Sequence, residues 1–197
     1  MRRRTSARSS EPALRRLVRE HLSPGDDEAT RRLHRGLRAA LERGYLTRSE
    51  LEAVCHWKSP RAIRHIRANT PASVRAATRA ALATRRERRR LEALMQLDGV
   101  SVPMASAVLT LLWPERYGVI DIRVWQVLHA LGGVEGNPGG RGFTFAHWSR
   151  FLALLRGFSK RLGVSARAVE RALFAAHRAR QSGTLYAVGN RFRPEAR

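Results

Sequence analysis

Apolar side chains recur along this chain three and four residues apart, and no stretch alternates at the two-residue period of a strand. Leu14, Leu17 and Val18 mark a first short helix that ends near Ser23-Pro24-Gly25. Asp26 or Asp27 is placed to cap a second helix, which carries Leu33, Leu37 and Leu41 and stops at Gly44. A short carboxylate satisfies the free amides at a helix start, and glycine tolerates the left-handed turn that closes one. Thr47 and Glu50 form a capping box ahead of "LEAVCHW". Ser59-Pro60 and Thr70-Pro71 each set a cap before a proline at the first helical position, leading into Ile63 and Ile66 and into Val74 and Ala81. Thr84 with Glu87 repeats the box before Leu91 and Leu94. Behind Gly99, Met104, Ala107, Val108 and Leu111 stand at i, i+3, i+4 and i+7. After Trp113-Pro114 another helix opens at Asp121 and carries Val124, Trp125, Leu128 and Leu131. "GGVEGNPGGRG", Gly132 to Gly142, holds too much glycine and proline to be anything but a loop. Two longer helices follow, one with Trp148, Phe151 and Leu155, the other with Val169, Leu173 and Ala176. The pattern predicts an all-α fold in which short connections join adjacent helices.

Composition narrows the partners. The 197 residues suffice for one domain or two small lobes, and 43% are apolar, enough for a packed interior. Against 16 acidic residues stand 38 basic ones, a formal charge of +22. That surplus repels itself unless a polyanion offsets it, which puts nucleic acid first and an anionic membrane second. No apolar run is long enough to cross a bilayer, so no membrane partner is expected. The segment 1–12, "MRRRTSARSSEP", has no apolar signal core behind it and is expected to be a flexible basic arm; residues 183–197 are expected to be a polar tail. Cys55 is the one cysteine, which excludes an intramolecular disulfide and any cysteine-built metal or iron–sulfur site, and fits a reducing cytoplasm. Almost all the positive charge is arginine; the lysines are Lys58 and Lys160.

The stretch "LDGVSVPMASAVLTLLWPERYGVIDIRVW", Leu97 to Trp125, carries the most specific signal. A helix ends, turns through Gly99, Val100 and Ser101, and restarts behind Pro103. Such a hairpin points backbone amides outward at a helix start, where they and the helix dipole suit a phosphate oxygen without reading a base. The stretch resembles the helix-hairpin-helix DNA glycosylases, the superfamily of endonuclease III and the oxidised-guanine glycosylases. Their signature is a hairpin L-P-G-V-G-x-K-T-A, an apolar helix, and then V-D-T-H-V. Leu97, Gly99, Val100 and Ala105 match the first part, Asp121 and Val124 the second. Pro103 stands where bifunctional members carry the Schiff-base lysine, eighteen residues before Asp121, and that spacing is kept. Ser101 replaces the second hairpin glycine and Arg123 replaces the histidine after the aspartate.

The resemblance implies a two-lobed fold with an active-site cleft between the lobes. Residues 47–132 would form a six-helix lobe carrying the hairpin, and 13–46 with 143–182 the second lobe. It implies a DNA N-glycosylase that flips a base out of double-stranded DNA, acting as a monomer in the bacterial cytoplasm and associated with the nucleoid when bound. No cofactor and no metal site are expected, a monovalent cation at the hairpin aside. Asp121 would be the catalytic residue. Breaking an N-glycosidic bond makes the sugar transiently cationic, so a nearby carboxylate stabilises charge that exists only in the transition state, and it can also orient the attacking water. An N-cap is the plainer role for an aspartate at a helix start, and the two roles are compatible. Without a hairpin lysine the reaction would stop at an abasic site, Lys58 being the one alternative amine. Gly99, Val100, Ser101, Arg86, Arg89, Arg90 and Arg123 are the candidates for the DNA backbone. Trp57, Lys58, Trp125 and Tyr117 are the candidates for base pocket or wedge. A helical DNA-binding module without chemistry is the alternative, and an RNA- or membrane-associated basic protein ranks below it.

Overall fold

The structure is a computed structural model that describes residues 6–181, with side chains from Glu11 onward. Among the described residues there are ten α-helices, one 3-10 turn and no strand, as the hydrophobic period predicts. No helix among them is long and apolar enough to cross a membrane. Residues 1–5 of the expected arm and the expected tail 183–197 lie outside the described residues. The rest of that arm belongs to the first helix, which starts at Ser6.

Contacts divide the chain into two compact units, one spanning Gly25–Val119, the other built from the residues before and after it. The hairpin-bearing unit has six α-helices: α2 (Glu28–Arg43), α3 (Arg48–Lys58), α4 (Ile63–Ala68), α5 (Pro71–Ala83), α6 (Glu87–Leu94) and α7 (Val102–Leu112). The terminal unit comprises α1 (Ser6–His21), α8 (Ile122–Ala130), α9 (Phe145–Leu162) and α10 (Ala166–Arg180). This apportionment differs in two helices from the one expected. The helix of Leu37 and Ala40 packs on α3 and α7, so it joins the hairpin, and the helix behind Asp121 packs on α10, so it joins the terminal unit.

The start signals mostly act as chemistry requires. Asp27 accepts from the Thr30 amide at 2.7 Å, and Gly44 closes α2 at φ 78°. Thr47 and Glu50 make both bonds of the capping box. Thr70 accepts from the Ser73 amide ahead of Pro71. Ser59 makes no cap bond, and Pro60 begins a 3-10 turn, Pro60–Ala62, that runs on into α4. The Thr84–Glu87 box does not form: Thr84 ends α5, α6 starts two residues late behind Arg86, and Glu87 is drawn to Tyr117 and Arg116.

In the hairpin-bearing unit α7 is apolar on every face, and all its residues except Pro103 are buried, with α2, α3 and α6 packed against it. In the terminal unit α10 is the central element, touching α1, α8 and α9, with Val169, Leu173 and Ala176 buried. The loop 132–142 folds back on α8: Gly140, at φ 63°, has its Cα so close to Ile122 that an added Cβ would sit 3.2 Å from that residue's backbone.

Candidate functional site

The hairpin turn is held from outside its own two helices. Asn69, buried at the end of α4, accepts from the Asp98 amide at 2.9 Å and donates to the carbonyls of Asp98, His65 and Ile66 at 3.0–3.1 Å. Gly99 sits at φ 78°, and a Cβ there would meet His65 Cβ at 2.9 Å and the Ile66 nitrogen at 3.2 Å, so only glycine fits. Val100 closes the turn by donating to the Leu97 carbonyl at 3.1 Å. Ser101 caps α7 at φ −85° in extended conformation, which any residue adopts, so the loss of the second hairpin glycine leaves the turn intact. Its hydroxyl makes no cap bond, and the amides of Gly99, Ser101 and Val102 meet no acceptor among the described residues.

Asp121 stands at the start of α8 in extended conformation, its Oδ1 accepting from the Val124 amide at 3.0 Å, and its side chain is half-buried. Behind it lies a polar cluster that no sequence motif announces. Arg123 donates to Gln181 and to Nδ1 of His177, the latter at 3.4 Å, with its guanidinium 5.4 Å from the Phe174 ring centre. His177 Nε2 and Gln126 Oε1 are 2.9 Å apart. Arginine can only donate, so Nδ1 is the acceptor and the imidazole proton sits on Nε2, donated to Gln126. His177 is 3% exposed. Burial first, and the Arg123 charge second, push its pKa down to about 4, the Asp121 charge opposing. The imidazole is therefore neutral at physiological pH, and the local charges are those of Asp121 and Arg123.

The structure sorts the remaining candidates. Arg86 and Arg89 are exposed and stand where an incoming phosphate can reach them. Arg90 does not: it is 5% exposed and turned inward. Its guanidinium donates to the Ala81 carbonyl at 3.1 Å, to the Thr84 carbonyl and to the Tyr117 hydroxyl at 2.7 Å, and it lies 4.4 Å from the Trp113 ring centre. Tyr117 is fully buried and donates to Glu87 at 2.8 Å; burial, then that carboxylate, raises its pKa above the ordinary phenol value. Trp125 is also fully buried, its indole donating to the Asn137 carbonyl at 2.9 Å and packed edge-on against Phe143 and His147. Neither ring offers a face to a base, so both are core residues rather than pocket or wedge. Trp57 is half-buried and donates to the Thr30 hydroxyl at 2.9 Å. Lys58, half-buried, is the last residue of α3.

Compared with protein-family models, with curated proteins and with solved structures, the chain matches none of them.

Proposed function

We propose that this protein is a monofunctional DNA N-glycosylase of the helix-hairpin-helix kind, with the two-lobed arrangement of that superfamily. The observation that carries the reading is Asp121: a half-buried carboxylate fixed at a helix start, eighteen residues beyond Pro103, in a chain of charge +22. A unit of six α-helices bearing the hairpin adds support, since that is the number the resemblance implies.

In this reading the free amides at the start of α7, with Arg86 and Arg89, hold the phosphate backbone of double-stranded DNA without selecting a sequence. A base leaves the stack, and Trp57, the one aromatic candidate that is not fully buried, fills the gap. As the N-glycosidic bond breaks, its electron pair departs with the base, positive charge spreads over the sugar, and Asp121 stabilises it. Water then adds its oxygen to the anomeric carbon, and the proton it gives up ends on the departed base, leaving an abasic site and an uncut strand. With Pro103 in the hairpin there is no amine at the position that would form a Schiff base. The enzyme is proposed to act as a cytoplasmic monomer, in repair or in defence against modified phage DNA.

The test is incubation of the protein with DNAs carrying oxidised, alkylated, deaminated and phage-type hypermodified bases, with mass spectrometry of what is released. The wild type is expected to free one class of base, and Asp121→Asn to free it about a hundredfold or more slowly. Equal duplex binding by both, with no base released from any substrate, would leave a DNA-binding module without chemistry. Borohydride is expected to trap no covalent adduct; an adduct lost in Lys58→Ala would overturn the monofunctional assignment.

A further inference from the structure

Arginine has five N–H donors in a rigid plane, and the fold commits only one corner of Arg123. Its Nη1 donates to the Gln181 side-chain carbonyl and to His177 Nδ1, the latter at 3.4 Å. The Phe174 ring lies 5.4 Å from the guanidinium. Nε and Nη2 form the opposite edge, where two N–H bonds run parallel. Among the described residues this edge meets no acceptor and Arg123 meets no carboxylate, although its side chain is only half-buried.

The groups that hold the corner are uncharged, and the imidazole is itself held. His177 is buried, and its Nε2 donates to Oε1 of the buried Gln126 at 2.9 Å. Gln126 Nε2 faces the Gly139 carbonyl at 3.5 Å, which fixes the amide the right way round. A neutral imidazole offers one lone pair, so it takes a single N–H and leaves the arginine its full charge. A carboxylate in its place would take the two-donor edge and cancel that charge. What remains is a fixed fork suited to one anion with two oxygens side by side. Asp121 stands two residues earlier in the same unit, and its charge and that of Arg123 both act on the His177 imidazole. A nucleotide losing its base has the complementary order, a cation forming at its sugar and an anion at its phosphate.

We propose that His177 is a positioning residue: itself out of reach of any ligand, it aims the Nε–Nη2 edge of Arg123 at a phosphate of the DNA strand whose sugar lies at Asp121. Gln181 steadies the same corner. The inference rests on the glycosylase reading for the identity of the anion, and on the hydrogen bonds for the fork. An acidic protein segment would offer the fork the same two oxygens, but nothing for Asp121 to stabilise.

The test is duplex affinity against salt concentration, in a cycle of single and double variants. Arg123→Gln is expected to bind about tenfold more weakly, with a salt dependence shallower by about one phosphate contact. His177→Leu and Gln181→Ala are each expected to weaken binding about three- to fivefold, but less than about twofold where Arg123 is already Gln. His177→Asn, whose amide oxygen stands in for Nδ1, is expected to stay within about twofold of the wild type. Should His177→Leu not fold, His177→Gln takes its place, because its amide reaches the Nε2 position and leaves that of Nδ1 empty. A merely structural histidine gives the same loss in both backgrounds. That result, or duplex binding by Arg123→Gln equal to the wild type's, would overturn the proposal. Polyglutamate that binds the wild type as tightly as duplex does, and loses as much in Arg123→Gln, would make the anion a carboxylate and overturn it too. The expected cycle with no base released from any DNA would remove the glycosylase reading and leave the phosphate seat standing; base release without the cycle would do the reverse.

Discussion

At the start of α7 three amides face no acceptor among the described residues and the cap side chain, Ser101, makes no bond; at the start of α8 the equivalent end is met by the protein's own Asp121. Both ends carry the same partial positive charge from their aligned peptide dipoles. One leaves that charge for an anion from outside, and the other uses it to hold an anion of its own. The difference teaches that a helix start is a shared resource: a side chain that fills it fixes a charge in place, and a bare one makes it a receptor.

Removing the built-in anion is expected to have the largest effect. Asp121→Asn keeps a capping oxygen, so the loss of stability should stay within about 1 kcal/mol, whereas base release should fall by about a hundredfold or more. Thermal melts run beside the release assay separate the two. Equal activity in the variant would reduce Asp121 to a cap.

Breaking the other helix start comes next. Gly99→Val forces a β-branched residue to φ 78° against His65 and the Ile66 backbone, and is expected to cost roughly 2–4 kcal/mol. Asn69→Ala removes one accepted and three donated bonds and should fall in the same range. Urea midpoints check both, and DNA affinity should fall with the turn.

The surroundings of Asp121 titrate. In the folded protein His177 stays neutral down to about 4, whereas in the unfolded chain it protonates near 6.5. The stabilisation is therefore fully present above pH 6.5 and is lost as pH falls towards 4, by at most about 3 kcal/mol. Denaturation followed across that window should show the slope, and His177→Gln should flatten it.

The smallest effect is the most direct comparison. Ser101→Asp gives α7 the cap that α8 has, and is expected to raise stability by about 0.5–1 kcal/mol. DNA affinity should drop severalfold, with a salt dependence shallower by about one phosphate contact. A variant that binds DNA as well as the wild type would show that the free amides are not the contact.

Much of the fold was legible because caps and hydrophobic period are local. Asp27, Thr47 with Glu50, and Thr70 before Pro71 needed only their neighbours in sequence, and each does what its chemistry predicts. Thr84 and Glu87 had the same spacing and failed, because Tyr117, thirty positions away, offered Glu87 a better partner. The setting of Asp121 was illegible for the same reason: His177 meets Gln126 and Arg123 across 51 and 54 positions. Arg90 is a different case. It hid in a run of exposed arginines, yet it shares a helical face with Glu87, Leu91 and Leu94, and that period marks it as inward-facing. Tyr117 and Trp125 are pocket candidates by aromatic type alone, which says nothing about burial, whereas their helical spacing favours the core in which they lie.

By tying the end of α5 to the start of α6 through two carbonyls, Arg90 roots the segment that displays Arg85, Arg86 and Arg89. A comb fixed at its base surrenders little on meeting a polyanion. Only the teeth must be ordered, and the larger entropy of settling a backbone has already been spent in folding.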